Sequence, residues 1–170
     1  MTNTALKIAT TEFEPDVGMT DQERADVANA LSHVLADTYM LFIKTQGIHW
    51  NVTGPSFVGI HKLTEEHYEN MYEAIDKIAE RIRALGIKAP ASYAKYGELS
   101  SISDNGDDYS SVGDMLNTLI SDHQKAVQSM RKAIGWCEDK KDFVTADMMI
   151  ERMAWHEEAI WMLKSLSASS

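Results

Sequence analysis

Apolar residues recur at spacings of three and four over four long stretches of this chain. Val27, Leu31, Val34, Leu35, Thr38, Leu41 and Phe42 define the first. They follow Thr20-x-x-Glu23, the Ser/Thr-x-x-Glu form of a capping box, so the spacing predicts a helix from about Asp21 to near Ile48. Turn chemistry at Gly54-Pro55 breaks it. Phe57, Ile60, Met71, Ile75, Ile78, Ile82 and Leu85 mark the second helix, which Gly86 can end as a left-handed cap. Val112, Met115, Leu116, Leu119, Val127, Met130 and Ile134 mark the third, opened by Ser111 with Asp114 three residues on. Ala146, Met149, Met153, Ile160 and Leu163 mark the fourth, with Asp142 or Thr145 placed to cap its start. No run alternates at period two for long enough to make a strand.

Helices of about 26 to 29 residues are each ~40 Å long, which suits an all-α four-helix bundle. Short turns join the first helix to the second and the third to the fourth, so these pairs are antiparallel neighbours. Ile87 to Ser110 is long enough to cross the length of the bundle, and Tyr93 to Leu99 within it can form a short helix. One long crossover in the middle is the ferritin-like arrangement rather than a simple up-and-down one. The expected organisation is an N-terminal tail over 1–19, the bundle over 20–166 and a C-terminal tail over 167–170.

Composition changes this picture in two respects. With 44% hydrophobic and 25% charged residues the chain has the balance of a soluble globular domain. The 26 acidic residues exceed the 16 basic ones, for a formal net charge of -10, so the field attracts cations and repels nucleic acid and anionic lipid. The N-terminus has no apolar core of a signal peptide, and the longest apolar run, Tyr39 to Ile43, is too short for a membrane span. Cytoplasmic residence is the expectation. A lone Cys137 is compatible with a reducing compartment and reads as a small apolar helix residue.

The second helix also carries a polar stripe of His61, Glu65, Tyr72, Asp76 and Glu80. Carboxylates on a helix face ordinarily meet solvent and pair with neighbours such as Lys77, Arg81 or Arg83. Imidazole changes the weighing: together with carboxylate it suits iron, zinc or manganese, and His49 stands just across the turn. His61 and Asp76 lie about 22 Å apart along one helix, too far to share a metal within a chain. A two-fold related copy running antiparallel brings His61 of one chain against Asp76 and Glu80 of the other. Glu-x-x-His pairs, which build di-iron sites inside a single bundle, are absent from all six histidines. His123 and His156 fall on apolar faces and read as hydrogen-bonded core residues, His33 and His67 as partly exposed ones.

His49-Trp-Asn-Val-Thr-Gly-Pro-Ser-Phe57, then His61, then Asp76-Lys-Ile-Ala-Glu-Arg-Ile-Arg83, closely resembles the signature of the Dps family of mini-ferritins, and Trp161-Met-Leu163 resembles its last-helix pattern. The resemblance runs from about Thr20 to Leu166. It implies a homododecamer with ferroxidase centres at two-fold interfaces, two irons per centre. His49, His61 and Glu65 come from one subunit, Asp76 and Glu80 from its neighbour. Trp50 matches the aromatic residue beside the family's centre, where it holds a bridging water or quenches radicals. The implied activity is oxidation of Fe(II) by hydrogen peroxide, or more slowly by dioxygen, with storage of ferric mineral in a hollow cage and indirect protection of DNA. Asp142, Asp147 and Glu151 resemble the acidic residues of the family's three-fold pores, although carboxylates at a helix start also stabilise its dipole.

The family's DNA-binding members commonly use lysine-rich tails, whereas this N-terminus offers Lys7 against Glu12, Glu14 and Asp16, and Lys164 stands alone near the other end. A cage of twelve such subunits carries about -120 formal charges, so weak or absent DNA binding near neutral pH is expected. Three rival readings stand beside the ferroxidase: a DNA-compacting protein, a bundle whose polar stripe is only a dimer interface, and a cage preferring zinc or manganese.

Overall fold

A computed structural model describes residues 15–104 and 106–168, and all its elements are helices: α1 Asp21–Asn51, α2 Phe57–Ala84, α3 Tyr93–Leu99, α4 Val112–Asp139 and α5 Phe143–Ser167. Most of the expected N-terminal tail lies outside the described residues. At the other end α5 runs to Ser167, one residue into the expected tail.

Local chemistry sets the helix ends. The Glu23 amide donates to Thr20 Oγ1, and the Thr20 amide donates to Glu23 Oε2 at 2.8 Å, closing the capping box. Helix α1 continues three residues past the expected end at Ile48. Asn51 stays in the last turn because its Nδ2 donates to Gly47 O at 2.8 Å. Gly54, at φ +100°, then turns the chain. Helix α2 closes in a Schellman motif, with Ile87 N donating to Ile82 O, Gly86 N donating to Arg83 O, and Gly86 at φ +83°. Ser111 Oγ accepts from Asp114 N to open α4, and Asp142 Oδ1 accepts from Thr145 N to open α5.

α1–α2 and α4–α5 form antiparallel hairpins, α1 packs on α4, and α2 meets α5 more sparsely. The intervening crossover is fixed to α1. Buried Asp37 accepts from Ser101 N, Ser100 Oγ and Ser101 Oγ; Tyr96 of α3 stacks on Tyr39 at 4.6 Å between centroids. The core is aliphatic: Leu31, Leu35, Leu41, Ile48, Ile60, Met71, Ile78, Ile82, Leu116, Leu119 and Met130 are fully buried. Cys137 is buried as expected, and burial pushes its thiol up to about 12, with the Asp142 carboxylate adding to the effect. Among the described residues no helix is long and apolar enough to cross a membrane.

Candidate metal centre

The α1–α2 turn brings His49, in the last turn of α1, against His61, near the start of α2. Their rings stack with centroids 3.8 Å apart and an interplanar angle of 16°. The hydrogen bonding is reciprocal: His49 Nδ1 meets His61 O at 2.8 Å, and His61 Nδ1 meets His49 O at 2.9 Å. A carbonyl oxygen only accepts, so each Nδ1 carries the hydrogen and donates. In the neutral ring each Nε2 then keeps its lone pair, the form of imidazole that binds a metal, and the backbone holds both tautomers in place. The His49 carbonyl is available for this because it lies in the last turn of a helix, where carbonyls lack intrahelical partners.

Aromatic rings wall the pair. Phe57 stacks on His61 at 4.9 Å and Tyr68 meets His49 edge-on at 5.1 Å. Glu65, half-buried, stands one turn beyond His61 on α2. Asp76 and Glu80 are exposed, about 22 Å and 28 Å further along the same helix by its rise per residue. One chain thus assembles the two histidines and leaves the two distal carboxylates remote from them. Among the described residues of one chain, no three His, Cys, Asp or Glu side chains form a group able to hold a metal.

Trp50 is 66% exposed beside His49, and Ile43, Phe57, Val58 and Tyr72 are exposed on the same two helices. Large apolar side chains in one region of a charged chain mark a surface suited to burial against another protein.

The three acidic residues at the start of α5 separate. Asp147 and Glu151 are exposed, one turn apart. Asp142 is 4% exposed: its carboxylate caps α5 and takes both 2.8 Å and 2.9 Å bonds from Arg81 Nη2. It is a cap and ion-pair partner rather than a free carboxylate, because Arg81 reaches it from α2.

The sequence reading missed a third histidine in the core. His67, expected to be partly exposed, is 4% exposed, since the bundle seats it against His123 and Trp155 at 5.7 and 5.4 Å between centroids. His123 and His156 are fully buried and hydrogen-bonded to each other, Nδ1 to Nδ1 at 2.9 Å, in keeping with the core role expected of them. Burial lowers His67 to about 4 and His123 to about 3, and holds His156 well below the ordinary imidazole range. The advance signal was His123 and His156 on apolar helix faces; nothing in the spacing showed that His67 joins them.

Comparison with known proteins places these observations in a family. A ferritin-like domain matches residues 28–168. A low temperature-induced protein of Nostoc sp. is 39% identical over 151 residues, covering 88% of this chain and 84% of the relative. The DNA protection during starvation protein 2 of Bacillus anthracis is 32% identical over 139 residues, covering 82% of this chain and 94% of its own. Among solved structures, DpsC of Streptomyces coelicolor superposes with a TM-score of 0.88 at 26% identity, covering 95% of this chain and 94% of that one.

Proposed function

Because this chain belongs to the Dps family of ferritin-like proteins, we propose that it oxidises ferrous iron at di-iron centres shared by two subunits and stores the ferric product inside a homododecameric cage. Family membership supports iron storage and protection against oxidation in general terms. One observation carries the finer reading: the cross-bonded pair of His49, buried at 6% exposure, and His61, partly exposed, offers two fixed Nε2 lone pairs. Two neutral imidazoles supply no charge to offset divalent iron, and the exposed carboxylates of Asp76 and Glu80 do. Their distance from the histidines within one chain favours a two-fold partner as their source. The exposed Ile43, Trp50, Val58 and Tyr72 suit the surface that such a partner covers.

In this reading His49, His61 and Glu65 of one subunit bind ferrous iron together with Asp76 and Glu80 of the other. Two ferrous ions give one electron each to one hydrogen peroxide, which takes up two protons and becomes two waters. Paired delivery avoids the one-electron reduction that releases hydroxyl radical. Dioxygen is the slower oxidant. Trp50, beside the pair, holds a bridging water or takes up stray oxidising equivalents. Asp147 and Glu151 line the entry route, where a ring of carboxylates concentrates cations. The bundle over 20–166 carries this activity, in a cytoplasmic setting that a lone, buried Cys137 suits. The acidic balance of the chain supports weak or absent DNA binding near neutral pH; a plasmid gel shift at physiological salt without divalent metal would contradict that.

The test is an anaerobic Fe(II) titration of metal-free protein, followed by peroxide, beside a His61→Ala control. Saturable binding of one or two irons per subunit, rapid oxidation and a soluble ferric product, all impaired in the variant, is the expected result. Precipitated iron with no difference between the proteins would overturn the reading. Parallel zinc and manganese titrations decide whether iron is the preferred metal, since the ligand types alone do not.

A further inference from the structure

Five of the six buried side-chain polar atoms without a hydrogen-bond partner, among the described residues, belong to one place in the bundle: His67 Nδ1, His123 Nε2, His156 Nε2, and Arg152 Nε and Nη2. The proposed ferroxidase uses none of them. At their centre His123 of α4 and His156 of α5 share the 2.9 Å bond between their Nδ1 atoms. Such a bond requires one ring to donate and the other to accept. The donating ring then has a bare Nε2, while the accepting ring has its hydrogen on Nε2 and its only lone pair committed to the bond.

That asymmetry makes protonation a two-step event. A first proton enters at the bare Nε2 and leaves the shared bond intact, now charge-assisted. A second can enter only at the accepting Nδ1, which turns two N–H groups toward each other and breaks the bond. Among the described residues no carboxylate acts on the pair to offset the resulting charge. The charged or titratable groups that act on the pair are each other, His67 of α2 and Arg152 of α5. Asp122, next to His123 on α4, is bound instead to Lys125 and to Lys44 of α1. Arg152 donates to Asn70 Oδ1 and lies 4.6 Å from the Trp155 ring centre. Its outer side borders a crevice of about 80 Å³ between α2 and α5, lined also by Asn70, Glu73, Lys77 and Glu151.

We propose that the His123–His156 pair is an acid latch: neutral rings tie α5 to α4, and uptake of the second proton breaks their bond and separates the two helices. The direction with pH follows from where the rings titrate. In the unfolded chain they take up protons below the ordinary value near 6.5, while burial keeps them neutral in the folded bundle far below that, His123 to about 3. Stability is therefore complete above about pH 6.5 and falls as pH drops toward the folded values. Two protons linked to opening raise the unfolding constant by about a hundredfold per pH unit within that window.

The experiment is urea unfolding of the assembled, chelator-treated protein between pH 8 and pH 5, followed by circular dichroism, for the native chain and a His123→Gln, His156→Gln variant. The native chain should show the additional hundredfold change between pH 6 and pH 5, and the variant should lack it. His156→Gln alone should lose about a tenfold share per pH unit. Equal pH dependence in native and variant chains would overturn the latch. Should neither variant fold, histidine NMR of the native chain decides: two imidazoles that are still neutral in the folded chain well below 6.5 and become doubly protonated only with unfolding support it, and smooth titration of both near 6.5 overturns it. An acid transition present only before chelation would make the imidazoles metal ligands and equally overturn the proposal.

Discussion

Two pairs of histidines in this bundle, one stacked at 3.8 Å between centroids and one tilted at 5.0 Å, are prepared for opposite tasks. His49 and His61 each donate from Nδ1 to a backbone carbonyl, at a turn near the surface, so both Nε2 atoms remain free to receive a cation. His123 and His156 spend an Nδ1 on each other in the middle of the core, beside the Arg152 cation, with no carboxylate among the described residues acting on them. The difference lies in the partner of Nδ1. A carbonyl fixes a tautomer and leaves a ligand; a second imidazole fixes a neutral contact and leaves a group that fails when charged.

The comparison is broken most severely by removing one ring of the His49–His61 pair. His61→Ala should lower the rate of ferrous oxidation by about a hundredfold or more, since losses even beyond the ligand shell cost ten- to a hundredfold, while thermal unfolding at pH 7.5 moves little. Stopped-flow ferric absorbance and a melting curve check the two halves of that statement. Arg152→Met sharpens the other side. Removing the cation lets the core pair accept protons more readily while folded, so the acid loss of stability should level off at a higher pH than in the native chain, as urea unfolding between pH 7 and pH 3 would show. Ferrous oxidation should be unchanged.

Smaller effects separate the acidic residues near α5. An Asp147→Asn, Glu151→Gln variant should take up iron several-fold more slowly at low ionic strength, with the difference shrinking as salt is added. Asp142→Asn keeps an oxygen for capping but loses the ion pair with Arg81, so its effect should be a destabilisation of about 1–3 kcal/mol in urea unfolding. An uptake defect in Asp142→Asn as large as in the double variant would contradict the distinction between them.

Helix ends written in local chemistry were legible from the chain: Thr20 with Glu23, Ser111 with Asp114, Gly86 and the span Tyr93 to Leu99 all stand where the pattern put them. The ferritin-like topology followed from the length of one connection. The His49–His61 proximity was also legible, because a short turn forces it. Features made by packing between distant segments were not. His67 looks half-exposed on α2 until α4 and α5 close over it. Asp142 reads as a helix cap, as it is, but its ion pair with Arg81, 61 residues earlier, has no sign in the sequence. The continuation of α1 to Asn51 depends on a side-chain bond within its last turn that no apolar period reveals.

The central claim is that two chains build each metal centre, and mixing tests it most directly. Chains carrying His61→Ala and chains carrying Asp76→Ala, each inactive alone, are unfolded together, reassembled and assayed for peroxide-driven ferrous oxidation. A mixed two-fold pair contains one centre with both native residues and one with neither, so random mixing should restore about a quarter of native activity. Mixed assemblies of normal size that remain as inactive as the parents would contradict the shared centre.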